Sequence, residues 1–378
     1  MLRGLASAVR PLAVYAYAMS DAKQEFEQIR DAVEAADRAL AEALAARAKA
    51  VTKLAALRSR ASDAYFTLPR DVDVLTRTVE RVDGLPKEAT HTVMREVLSA
   101  CNALIAPAQV VYAGQEGGLG NVAARKQFGA SAVLRSVESP EAMLSEIARG
   151  RASFGVLPFE SSHDGAVTQT LNLLARSEIK VCAEIPTRRS FHLLSKSGDR
   201  TQIQRVYAAT SALAACERYL AQKFPEASIL DVRSHTLAAS RALAEPEAAA
   251  LGTDLALSTP GLTMVEKSVE DTPDLDTRYV AVGNDYPPRT GRDRTAVVIA
   301  LHDATGVLIG CLKPFADRRI NLFRLETRPA RGWEFRYLIL FEIDGHITDR
   351  PVLSAIEELR VAGHYVKVLG SYPRTADN

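Results

Sequence analysis

The order of apolar runs at the C-terminal end constrains this chain most. Thr295 to Leu301 reads as a strand, Gly306 to Arg318 as an amphipathic helix, and Ile320 to Glu326 and Phe335 to Ile343 as two strands. Arg350 to Ala362 then reads as a second helix and Tyr365 to Val368 as a last strand. Strands alternate polar and apolar at period two, whereas helices place apolar residues three and four apart. A βαββαβ order folds as a ferredoxin-like sandwich.

Pro287-Pro288-Arg289-Thr290-Gly291 reads as a linker ahead of that segment. Upstream, strand-like runs at Gln109 to Tyr112, Ala132 to Val137 and Phe154 to Pro158 alternate with helical runs at Asn121 to Phe128 and Pro140 to Ala148. A similar alternation runs from Ile179 to Val282. This predicts an α/β layer with a largely parallel sheet. Before Ala106-Pro107-Ala108 the texture is helical. Ile29, Val33, Ala36, Leu40, Leu44, Val51 and Leu54 recur at helical spacing, with no proline between Lys23 and Pro69. One long helix, a second after Pro69 and a third from Lys87 to Leu104 are expected. A single long helix cannot bury its apolar face alone, so a partner chain is expected to complete this module.

Lys and Arg number 47 against 46 Asp and Glu, so no net field draws the chain to nucleic acid or an anionic membrane. Cys101, Cys182, Cys216 and Cys311 are widely spaced and lack metal-ligand spacing, as expected of reduced thiols in a cytoplasmic protein. Met1 to Met19 hold two arginines and the apolar run Leu12 to Ala18, short for a secretory core and without a clear cleavage site. They are read as an unstructured leader, or as sequence preceding a true start at Met19.

Several local patterns carry chemistry. Arg47 and Arg58 lie eleven residues apart, about three helical turns, which places both on one face; by composition alone these are solvated surface charges. Gly118-Leu119-Gly120-Asn121-Val122-Ala123 matches GxGxxA after a strand, with Glu138 downstream. A dinucleotide fold puts its first glycine directly after the strand, whereas Gln115, Glu116 and Gly117 intervene after Gly114. His163 beside Ser162 lacks the elbow and acidic orienter of a nucleophile-base pair and reads as a loop histidine.

Longer motifs carry a family resemblance. Arg319-Ile320-Asn321-Leu322-Phe323-Arg324-Leu325-Glu326-Thr327-Arg328-Pro329, followed by Trp333-Glu334-Phe335, resembles the GINLxxIESRP…WEY signature of the ACT domain that ends prephenate dehydratases. Gly155 to Val167 resembles GVVPIENSxxGAV, and Thr277-Arg278-Tyr279 resembles TRF. Met94 to Ile105 resembles FREIISASLALE of the fused chorismate mutase part. After Met19 the whole chain is thus similar to bifunctional chorismate mutase/prephenate dehydratases.

The resemblance implies an all-α mutase-like module at 21–106, an α/β dehydratase domain of periplasmic-binding-protein type at 109–284 and an ACT domain at 294–376, behind a leader at 1–20. It implies a homodimer acting on prephenate and chorismate, with L-phenylalanine as effector and no metal or organic cofactor. Arg30, Arg47, Arg58, Arg70 and Asp71 stand where the family binds chorismate, and Ile105 stands where it keeps Glu or Gln near the breaking ether bond. Dehydration needs a donor at the departing hydroxyl and groups for the carboxylates, ends that Thr277 and Arg278 serve in the resemblance, which also counts Glu160 among the catalytic residues. Ser161 takes the place of the catalytic Asn. Ala209-Thr210-Ser211 replaces HPQ, so Ser211 stands for Gln, and Gly114 to Gly120 replaces GPxGTFS. Gly306-Val307-Leu308 and Glu326-Thr327-Arg328-Pro329 match the L-phenylalanine segments, for which a pure packing role is the alternative. Three activities fit: a working dehydratase with an impaired mutase, a non-catalytic paralogue that senses phenylalanine or pairs with an active enzyme, and a related reaction on a prephenate-like dicarboxylate.

Overall fold

The computed structural model describes residues 10–58, 68–162, 165–273, 275–301, 304–329 and 337–375. The chain divides into two units, residues 1–63 and 64–378. In the first, the described residues form one helix, α1 (Arg10–Arg58). Residues 10–20 of the expected leader are therefore helical: Pro11 sits in the first turn, where its missing N–H is not needed, and the following alanines favour helix. Phe26, Ile29, Val33 and Leu40 form an exposed apolar series along it. No described helix is long and apolar enough to cross a membrane.

The second unit opens with α2 (Leu68–Arg81) and α3 (Lys87–Ala103), separated by Gly84 in the left-handed region and Pro86. The first lobe follows: β1 (Gln109–Ala113), α4 (Leu119–Phe128), β2 (Val133–Val137), α5 (Pro140–Ala148), β3 (Phe154–Ser161), β4 (Gly165–Ala166), α6 (Thr168–Arg176) and β5 (Lys180–Arg188). The chain then crosses to a second lobe made of β6 (His192–Ser195), β7 (Arg205–Ala209), α7 (Thr210–Ala215), α8 (Glu217–Lys223), β8 (Ser228–Val232), α9 (His235–Ala244), β9 (Ala248–Gly252) and β10 (Thr263–Glu266). β11 (Asp276–Gly283) returns to the first lobe. The C-terminal segment is β12 (Asp293–Leu301), α10 (Val307–Asp317), β13 (Leu322–Pro329), β14 (Tyr337–Asp344), α11 (Arg350–Val361) and β15 (Tyr365–Pro373).

The described strands form two sheets. The second lobe holds β10-β6-β9-β7-β8, and the larger sheet runs β13-β14-β12-β15-β5-β11-β3-β1-β2, with β4 on β3. Both lobes are mixed rather than largely parallel. β1 is parallel to β2 and β3, and β7 to β8 and β9, but β11 is antiparallel to both β3 and β5. A strand that enters a lobe from its neighbour arrives in the reverse direction, which local periodicity does not encode.

Gly370 and Val181 pair where β15 meets β5, joining the C-terminal strands to the first lobe. A Cβ at Gly370 would overlap the Val181 carbonyl and lie 2.8 Å from its Cα, so only glycine permits this approach. The faces of the C-terminal sheet divide cleanly. Val297, Ile299, Ile339 and Phe341 pack under α10 and α11. Val298, Ala300, Leu338 and Leu340 share a core with Leu157, Phe159, Leu171, Val280 and Tyr372. The C-terminal sheet thus packs directly on the back of the first lobe.

Candidate active site

Loops at the carboxyl ends of parallel strands are where α/β folds bind ligands. Here those ends belong to β1, β3, β7 and β8, joined by the start of antiparallel β11. Thr277 on β11 pairs directly with Ser161 on β3 and with Thr187 on β5. Reciprocal bonds just beyond fix this end: Ser162 N–H donates to the Asp276 carbonyl at 2.9 Å, and Asp276 N–H donates to Ser162 Oγ at 3.1 Å.

The glycine loop after β1 leads into α4. Gly114 and Gly117 have φ of +115° and +75°, which explains two of its glycines. Thr253 Oγ1 of the second lobe donates to the Gly117 carbonyl at 2.6 Å. A Cβ on Gly117 would lie 3.1 Å from both His235 Cβ and Thr236 Oγ1, so the second lobe fills the space over this glycine. A Cβ on Gly118, the first glycine of the GxGxxA match, would lie 3.4 Å from His235 Cδ2, so the same lobe covers the start of that motif.

From the second lobe, Ser211 in the first turn of α7 bonds His235 at the start of α9, Oγ to Nε2 at 3.2 Å. His235 is buried and stacks on Phe191, ring centroids 5.8 Å apart. Burial holds its pKa below the ordinary imidazole value of 6.5. Sequence reasoning passed over His235. The readable signal was a histidine just after Ser234, whose hydroxyl caps α9 by accepting from Leu237 N–H at 3.1 Å.

Two chain crossings link the lobes. Glu270 accepts from Phe191 N–H at 2.9 Å, and Arg189 N–H donates to the Leu275 carbonyl at 2.8 Å. These bonds align the strand that carries Thr277 with the second lobe.

Arg278 and Glu160 are placed differently from Thr277. Strand alternation puts Thr277 and Tyr279 on the face packed by α4, whereas Arg278 and Val280 face the C-terminal sheet. Arg278 makes a bidentate pair with Glu342 of β14, at 2.7 and 2.6 Å, and also pairs with Glu160 at 2.9 Å and Glu184 at 3.3 Å. Burial opposes the charge of Arg278, but the bonds to Glu342 win and raise its pKa. Glu342 is fully buried; burial would raise its pKa, but bonding to Arg278 holds it below the carboxylate range. Glu160 also meets Arg324 of β13 at 2.6 Å. The bidentate pairing itself is not signalled by the local sequence, because its partners are 64 residues apart.

The expected phenylalanine segments divide too. Gly306 precedes α10 with φ +78°, and Leu308 and Thr327 are exposed. Glu326 and Arg328 turn into their own chain: Glu326 accepts from Ala166 N–H at 3.1 Å, and Arg328 donates to the Ala166 carbonyl at 3.0 Å. In the helical part, Arg30 is exposed and pairs with Asp31 and Glu34, while Arg47 Nη1 is shielded without a hydrogen-bond partner among the described residues. Ile105 is half-buried just beyond α3. The side chains of Arg58, Arg70, Asp71 and Pro329, together with His163 and Trp333-Glu334-Phe335, lie outside the described residues.

Residues 110–287 match the model of the prephenate dehydratase family. Bifunctional chorismate mutase/prephenate dehydratase of Stutzerimonas stutzeri is 32% identical over 94% of this chain and 99% of its own length. The protein so named from Pseudomonas aeruginosa is 31% identical over 93% of this chain and 98% of its own length. Among solved structures, prephenate dehydratase of Arthrobacter aurescens in complex with L-Phe is 30% identical, with a TM-score of 0.58 over 70% of this chain and 89% of that one. Prephenate dehydratase of Staphylococcus aureus, 24% identical with a TM-score of 0.58 over 70% of this chain and 99% of that one, shares the fold. Similarity of this extent, along nearly the whole chain, places it: the protein belongs to the bifunctional chorismate mutase/prephenate dehydratase family.

Proposed function

We propose that this chain is a prephenate dehydratase, fused to an impaired chorismate mutase-like helical part at residues 21–106 and regulated by L-phenylalanine through an ACT-type domain at 294–376. The observation that carries this reading is the direct pairing of Thr277 with Ser161 at the ends of β11 and β3; the packing of the glycine loop against His235, which bonds Ser211, supports it from the other lobe.

The C–CO2 bonding pair flows into the ring and expels the hydroxyl, which leaves as water after taking one proton relayed from solvent through the Thr277 hydroxyl, so one carbon dioxide and one water leave and phenylpyruvate remains. No net oxidation occurs, and the step calls for no redox cofactor. Thr277 donates to the departing hydroxyl, while Ser161, Ser211 and His235 provide hydrogen-bonding groups around the substrate. Arg278 and Glu160 act from behind the sheet by fixing the strands.

Ile105 cannot donate a hydrogen bond to the chorismate ether oxygen, which supports an impaired mutase. The exposed apolar series on α1 supports a homodimer completed by a second copy. Four buried, unbridged cysteines support a reducing, cytoplasmic setting. L-Phenylalanine is read into the turn at Gly306-Val307-Leu308 and exposed Thr327, with Glu326 and Arg328 holding that strand.

The test supplies prephenate to purified full-length protein and measures phenylpyruvate. Saturable formation that Thr277→Val abolishes supports the reading, and no product overturns it. The short side chains at Ser161 and Ser211 favour a second reading, a paralogue that binds phenylalanine without dehydrating prephenate; phenylalanine binding with no turnover would select it.

A further inference from the structure

The C-terminal sheet does more than pack on the first lobe, because its contact surface contains a charged network inside an apolar core. Glu342 lies between Phe341 and Ile343 on β14, is fully buried, and accepts from both terminal nitrogens of Arg278. Tyr372 of β15, also fully buried, donates to the same carboxylate at 2.8 Å. Arg324, opposite Glu342 in the β13–β14 register, reaches Glu160 on β3 at 2.6 Å. Arg294 of β12 pairs with Glu184 of β5 at 2.8 Å. Three C-terminal strands thus grip β3, β5 and β11, and two of those three carry Ser161 and Thr277 at their ends.

Such a network is a poor choice for stability alone, since desolvating several charges offsets most of their attraction. Its effect is geometric: a bidentate guanidinium-carboxylate pair fixes both distance and orientation. Arg278 is covalently next to Thr277, and Glu160 is next to Ser161. Moving Arg278 or Glu160 therefore moves the opposing hydroxyls on the other face.

We propose that Glu342, seated on Tyr372, is a positioning residue contributed by the C-terminal domain to the dehydratase site: it holds Arg278 behind β11 and so fixes Thr277 against Ser161. This rests on the dehydratase reading for its catalytic consequence, while the mechanical coupling stands independently of it. Arg324 extends the same link to β13, the strand whose Glu326 and Arg328 grip Ala166 just after β3. A change at the exposed side of β13 has a direct route to the Thr277–Ser161 pair.

The experiment compares full-length wild type, Glu342→Gln and Glu342→Asp. Hydrogen exchange is followed in peptides spanning β3, β11 and, as a control in the other lobe, β9. Glu342→Gln, nearly isosteric but uncharged, is expected to speed exchange in β3 and β11 while β9 stays unchanged, with Glu342→Asp intermediate. Unchanged exchange in all three peptides, or an equal rise in all three, overturns the proposal. Prephenate turnover provides the second readout: Glu342→Gln is expected to lower kcat by about tenfold or more, as misplaced catalytic groups do, with KM within about threefold. An unchanged kcat despite faster exchange overturns the positioning role. If wild type forms no phenylpyruvate, the dehydratase reading fails, and the exchange comparison still decides the coupling.

Discussion

Thr277 and Arg278 are adjacent in β11 yet leave it on opposite faces, the first beside Ser161 at the strand ends and the second clamped by Glu342 behind the sheet. In the proposed dehydratase reading this two-residue motif carries two separable roles, one chemical and one mechanical.

Substitution should separate them. Thr277→Val preserves volume and removes only the hydroxyl, so phenylpyruvate formation is expected to fall about a hundredfold or more while the melting temperature is unchanged. Arg278→Ala leaves Glu342 buried without its bidentate partner and is expected to lower stability by about 3–5 kcal/mol. Denaturant titration beside steady-state kinetics checks both; loss of stability in Thr277→Val, or a fully stable Arg278→Ala, would reverse the assignment.

Acid should expose the state of His235. Its folded pKa lies below 6.5, so between the two values the unfolded chain binds the proton more readily. The stability this contributes is fully present above 6.5 and declines as pH falls toward the folded value, before ordinary carboxylates titrate near about 4. Thermal melts from pH 7.5 to 5 should therefore fall on the acid side, and His235→Asn should flatten that limb. An identical slope in the variant would show that another group is responsible.

At Gly370 the C-terminal sheet and the first lobe approach too closely for a Cβ. Gly370→Ala is expected to cost about 1–3 kcal/mol, as overpacking does, because the added methyl meets Val181 backbone rather than a movable side chain. Chemical denaturation measures it, and a neutral result would mean that β15 and β5 separate freely.

Mutase turnover is expected to be weak or absent in wild type, because Ile105 offers no polar contact to the ether oxygen. Ile105→Glu should raise the rate of prephenate formation from chorismate, and the absence of any gain would move the defect elsewhere in the helical part.

L-Phenylalanine that binds only the folded chain should raise its melting temperature in proportion to the logarithm of concentration over Kd. Thr327→Ala on the exposed side of β13 should weaken that shift. No thermal shift at millimolar phenylalanine would leave the C-terminal domain as a packing element.

Strand and helix order was legible in the sequence wherever periodicity was strong, as in the segment from Thr295 to Val368. The direction of β11 was not, because a strand returning from another lobe looks locally like any other. The motif residues Thr277 and Ser161 were readable and are paired by the fold. Arg278 and Glu160 read from the motifs as catalytic residues, since nothing nearby in sequence reveals Glu342 or Arg324 behind them. His235 escaped notice because Gln is absent at position 211 and the residue now bonded to Ser211 arrives from 24 positions downstream.

The most direct measurement follows purified full-length protein with prephenate and records carbon dioxide and phenylpyruvate together. The account predicts their release in equal amounts, saturating with prephenate and lost in Thr277→Val. Prephenate left intact by folded wild type, while a related dehydratase consumes it under the same conditions, would contradict it.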